Sequence, residues 1–226
     1  MPDLHPIFVA ALTGFISGMI LCIPVGPVNL TIMNEGARRG FKWAAMIGLG
    51  ATAMEVIYCT IAFTGFAAFF SKEPIKSVME VFSFAFMLFL GVRFLIAKQV
   101  PLVEKIEHRI EERIEEKLHP SSAFMIGFVR TLANPGVLLG WILFGAYFIS
   151  RGWVEPTRES KFACIAGVTL SVLIWFIGLS WAISLGHNRF TERTMVKMER
   201  ASGVGLIVLA MVHGGYLAWK LANHHT

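Results

Sequence analysis

The sequence predicts an all-α integral membrane protein: six transmembrane helices in a 3+3 inverted repeat, with the first and fourth helices broken. Three observations carry this. Apolar residues fill 55% of the 226 positions, charged ones only 15%, and the mean hydropathy is +0.64. A soluble domain carries about 25% charged residues, so this chain lacks the polar side chains to cover a water-facing surface. The apolar residues also fall in six continuous runs rather than in alternation, which excludes a barrel of strands. Finally, one extended polar segment divides the runs three and three.

The runs are Ile7–Ile32, Trp43–Phe70, Val78–Ala97, Ala123–Ile149, Phe162–Leu185 and Ala201–Leu221. Each reaches the roughly 20 residues that a hydrocarbon core of about 30 Å demands of a helix. Trp43, Trp153, Tyr216 and Trp219 stand at run ends, where interfacial aromatic belts sit. The first run follows Met1-Pro2-Asp3-Leu4-His5, which has no basic stretch, so it reads as a span and not as a cleavable leader. Cys22, Cys59 and Cys164 are isolated within apolar runs and read as small buried hydrophobes.

Lysine and arginine set the orientation. Three loops hold Arg38, Arg39 and Lys42; Lys98, Lys105, Arg109, Arg113 and Lys117; and Arg189, Arg193, Lys197 and Arg200. The opposite side has Lys72, Lys76, Arg151, Arg158, Lys161 and Lys220, half as many. The positive-inside bias places the richer loops in the cytoplasm and both termini outside. The +5 net charge thus reads as membrane orientation and not as nucleic-acid binding. Residues 1–97 form a first three-helix repeat, 98–122 a charged cytoplasmic connector helix, and 123–226 a second repeat. In the connector, Ile106, Ile110, Ile114 and Leu118 make an apolar stripe beside the row Lys105, Arg109, Arg113 and Lys117. It reads as a solvated helix resting on the membrane or on the bundle.

Three helices per half make the second half enter from the opposite side, as in inverted-repeat transporters. Pro24-Val25-Gly26-Pro27 lies in the first span and Asn134-Pro135-Gly136 in the fourth. Proline removes a backbone N–H and clashes one turn back, so a neighbouring glycine lets the helix open. Breaks are tolerated in lipid only where they face protein or a watery cavity. Paired breaks therefore point to a binding site at Gly26, Pro27, Asn29, Asn134 and Pro135, where half-helix N-termini attract a carboxylate. Glu55 is deep in the second span, where a charge costs roughly 2.5 kcal/mol or more unless paired, protonated or hydrated. That makes it a candidate proton carrier or ligand for a substrate ammonium. Arg130 lies two turns into the fourth span, at i,i+4 from Asn134. It holds a substrate carboxylate, pairs with Glu55, or snorkels to the interface. His213 is central in the sixth span and reads as a neutral packing residue, with Gly214-Gly215 permitting close helix contact.

Pro24-Val25-Gly26-Pro27-Val28-Asn29-Leu30 resembles the Pro-Gly-Pro-x-Asn/Asp signature of the LysE/RhtB amino-acid exporters, with a valine intervening. Gly36-x3-Gly40, Gly48 and Gly50 follow at similar spacing, and Glu55 falls where the family often has an acid. Asn134-Pro135 resembles the opening of the family's fourth helix, and Trp175 a tryptophan common in its fifth. The resemblance implies a bacterial inner-membrane exporter of amino acids or related small polar metabolites. It would be driven by the proton gradient or membrane potential. No cofactor is implied, and the partners are a small-molecule substrate and the bilayer, with a homodimer as one assembly open to it. Consistently, the chain has no Gly-x4-Gly-Lys-Ser/Thr phosphate loop. A divalent metal-ion transporter is the alternative. It would rely on Glu55 and His213, with no cysteine–histidine cluster, so no metal site is expected. A membrane enzyme would need a nucleophile–base pair, and none stands at recognisable spacing.

Overall fold

The computed structural model describes residues 4–24, 26–65, 73–96, 122–185 and 192–223. Every element among them is helical: α1 (Leu4–Cys22), α2 (Pro27–Arg39), α3 (Phe41–Gly65), α4 (Glu73–Ile96), α5 (Ala123–Leu132), α6 (Pro135–Ser150), α7 (Arg158–Ser184) and α8 (Glu192–Asn223). The connector, except for its last residue, lies outside the described residues. Among the described residues, four helical stretches are long and apolar enough to cross a membrane: His5–Cys22, Phe41–Gly65, Arg158–Ser184 and Arg200–Trp219. The bent pair α5 and α6 adds a fifth when taken as one span. The expected third span coincides with α4, which also carries Glu73, Lys76, Glu80 and Arg93.

Helix ends follow local chemistry. Ser122 caps α5 through the Met125 N–H, Asn134 caps α6 through the Gly136 N–H, and Thr157 caps α7 through the Ser160 N–H. The basic stretch expected as a loop between the first two spans is instead helical, apart from Gly40. Glu35 pairs with Arg38 and Arg39 at i,i+3 and i,i+4, and the two arginines complement the C-terminal dipole of α2. These polar pairs hold a helix that hydropathy cannot register.

The end of α6 is a Schellman turn. The Gly152 N–H donates to Ile149 O and the Trp153 N–H to Phe148 O, with the Trp153 and Phe148 rings stacked. Gly152 has φ +70°, which a side chain resists. Gly152→Val is expected to cost about 1–2 kcal/mol, read as a lowered thermal midpoint of the detergent-solubilised protein.

Three helix pairs cross at contact distance, each through glycines on both partners. In α1–α7, a Cβ on Gly14 would strike the Cys164 carbonyl and one on Gly167 the Ala11 carbonyl. In α3–α5, Gly50 faces the Phe124 carbonyl and Gly127 the Ile47 carbonyl. In α4–α8, a Cβ on Gly91 would sit 3.1 Å from Gly203 O, and one on Gly203 2.8 Å from Gly91 O. Between apolar helices in lipid, such backbone approach supplies the attraction that water supplies elsewhere. The outward faces are apolar at helical spacing, with Phe8, Leu12 and Ile16 on α1 and Val204, Val208 and Val212 on α8. An apolar stripe of that extent is a surface for lipid.

Candidate functional site

The first break lies between Cys22 and Pro27. Pro27 is the first residue of α2, where its missing N–H costs nothing. Gly26 precedes it, and a Cβ there would meet nothing within 4 Å. Among the described residues no side chain caps this end of α2. Asn29 is buried and reaches back across the break. Its Nδ2 donates to Cys22 O at 2.9 Å and to Pro24 O at 2.7 Å. Its Oδ1 accepts from Trp175 Nε1 of α7 at 3.1 Å. Asn29 thus supplies donors to carbonyls that a broken helix leaves open. Asn29→Ala is expected to destabilise by about 2 kcal/mol or more, by leaving two carbonyls without donors. Trp175→Phe removes one bond and should cost about 1 kcal/mol. Thermal midpoints of the two variants in detergent rank the losses.

The second break lies between Leu132 and Pro135, with a 63° bend between the two helices. Arg130 and Asn134 were expected on one helical face, but the helix ends between them. The reason is Pro135, which has no N–H to continue the ladder. Arg130 therefore sits in the last turn of α5, where the dipole favours a cation, and its Nη1 donates to Thr31 Oγ1 of α2. Asn134 belongs to α6. Its Oδ1 accepts from Gly136 N at 3.0 Å, so this half-helix end is capped.

Between the breaks runs α3. Glu55 is buried, and its Oε2 accepts from Trp141 Nε1 of α6 at 2.6 Å. The carboxylate also lies within electrostatic reach of Cys22, the last residue of α1. One turn along, the Tyr58 hydroxyl donates to Leu132 O at 2.7 Å, satisfying a carbonyl at the end of α5. One face of α3 thus presents an acid and a phenol toward both breaks. Sequence reasoning singled out Glu55 but passed over Tyr58, Trp141 and Thr31. Tyr58 follows Glu55 at i+3, and Trp141 follows Asn134 by two turns, so helical spacing from the chosen residues would have found both.

The family profile for LysE-type translocators matches residues 19–214. The chain belongs to the LysE family. The match covers both breaks, Glu55 and Trp141. Among curated proteins, "Putative amino acid efflux protein YcgF" of Bacillus subtilis (strain 168) is 23% identical over 203 residues, covering 90% of this chain and 94% of that protein. "Putative amino-acid transporter YggA" of Aeromonas salmonicida is 24% identical over 205 residues, with the same coverage. No solved structure matches the chain. Membership and the apolar helices make this LysE-family chain a multi-pass membrane protein.

Proposed function

We propose that the protein is a secondary exporter of amino acids or related small polar metabolites, driven by the proton gradient or membrane potential. The efflux and transport in its relatives' names support the cargo class. The observation that carries the site is a buried carboxylate, Glu55, set between two broken helices and bonded across to Trp141. The uncapped N-terminus of α2, at Gly26 and Pro27, receives the substrate carboxylate through its free N–H groups and dipole. Arg130, tied to α2 through Thr31, adds positive charge beside it. Asn29, Asn134 and Pro135 hold the breaks in shape. Glu55 takes the ammonium or the coupled proton.

Two inverted three-helix halves, residues 1–97 and 123–226, would rock around this centre, with 98–122 joining them on the cytoplasmic side. The packing supports that reading. Exchanging the first span with the fourth, second with fifth and third with sixth turns the α1–α7 crossing into α5–α3. The same exchange returns α4–α8 and α3–α7 to themselves, and all four packings are present. The membrane is the bacterial inner membrane, with both termini outside. A divalent-cation cargo has no comparable support: among the described residues no three His, Cys, Asp or Glu side chains gather.

The test is reconstitution in liposomes with each common amino acid, radiolabelled, as the probe. Accumulation driven by an imposed pH gradient or potential supports the proposal. Transport of divalent metal alone overturns the cargo.

A further inference from the structure

The far end of α6 carries a second polar cluster. The Schellman turn fixes Arg151 at the helix end, and its guanidinium lies 3.7 Å from the Tyr216 ring centroid of α8. One turn back, the fully buried Tyr147 meets His213 of α8 edge-on, with ring centroids 4.4 Å apart. His213 Nε2 lies 2.9 Å from the main-chain carbonyl of Glu80 in α4. A carbonyl only accepts, so Nε2 carries the proton and Nδ1 of the neutral ring is an acceptor. Among the described residues, the Tyr147 hydroxyl, Arg151 Nε and His213 Nδ1 are buried with no well-formed hydrogen bond, although the Tyr147 hydroxyl and the Arg151 guanidinium lie close enough to interact with each other. Native interiors leave few such atoms, and three in one cluster call for a polar occupant. Arg151 is within electrostatic reach of both Tyr147 and His213, and Glu80 adds a negative charge near His213.

Tyr147 stands twelve residues beyond Pro135, about 18 Å along α6. It is therefore separate from the break-centred site, toward the end that the charge bias places outside. We infer that Tyr147, Arg151 and His213 form an exit-side site for an amino-acid zwitterion leaving the protein. The Arg151 and Tyr147 donors face the carboxylate, and His213 Nδ1 accepts from the ammonium. The aromatic rings of Trp153 and Tyr216 hold the guanidinium in place. This rests on the exporter reading.

The test is amino-acid counterflow in liposomes, with radiolabelled common amino acids offered from either face. Arg151→Gln should raise the half-saturating concentration on the outer face roughly tenfold. Tyr147→Phe, which keeps the ring packing, should raise it less, and both should change the inner-face value far less. Arg151→Lys should recover part of the loss. A purely structural role would shift both faces together and lower the thermal midpoint, which overturns the site. Unchanged outer-face values also overturn it, leaving a buried water as the occupant and the exporter reading intact. No counterflow of any amino acid by the unaltered protein overturns both.

Discussion

Glu55→Gln is expected to abolish gradient-driven amino-acid accumulation, to the level of empty liposomes, while the protein stays folded. The substitution keeps the shape of the side chain and an oxygen for the Trp141 N–H, so the α3–α6 contact survives. It removes the charge and the ability to carry a proton. An unpaired buried charge is costly in lipid, and its retention is a mark of function. Counterflow at equal pH separates the two roles. If it persists, Glu55 carries the coupled proton. If it vanishes together with accumulation, Glu55 holds the substrate ammonium. A variant that accumulates amino acids normally removes Glu55 from the mechanism. The thermal midpoint in detergent, expected near that of the parent, guards against simple misfolding.

Gly127→Leu is expected to prevent assembly of the bundle, and Gly127→Ala to destabilise it measurably. Even the first carbon of a side chain would overlap the Ile47 carbonyl, and on Gly50 it would overlap the Phe124 carbonyl. Backbone cannot rotate aside as a side chain can, so relief requires α3 and α5 to part along the whole crossing. Overpacking costs typically 1–3 kcal/mol, and the alanine should fall at the upper end. Gly178→Ala is the control. A Cβ there meets nothing within 4 Å, and alanine in a helix gains about 0.5–1 kcal/mol over glycine. Gel-filtration profiles and thermal midpoints should separate the two sites. Equal stability of Gly127→Ala and Gly178→Ala would mean that the crossing is looser than described.

What the sequence made legible depended on how local the cause was. Pro27 and Pro135 marked both breaks because a missing N–H acts at its own position. Glu55 was legible because an acid in an apolar run has few innocent explanations. The partners were not. Trp141 lies 86 residues from Glu55, and Trp175 lies 146 from Asn29. Such pairings arise from helix packing, to which periodicity is blind. The i,i+4 spacing of Arg130 and Asn134 does not put them on one face, because the helix stops between them. Glu80 was passed over at the edge of a run, although it is buried and its carbonyl faces His213.

The two breaks also bear on how the chain is built by the ribosome. α5 is about 15 Å long and α6 about 24 Å, so neither half alone spans a hydrocarbon core of about 30 Å. Taken as one span, the pair enters the bilayer as a unit with an open joint. The joint's Leu132 carbonyl is satisfied by Tyr58, which N-to-C synthesis has delivered earlier on α3. The first joint is different. Asn29 covers its carbonyls at once, from within the same segment, but its own oxygen waits for Trp175 on the late-made α7. The order of residues along the chain is therefore also a schedule: each opened backbone has a donor present by the time lipid surrounds it.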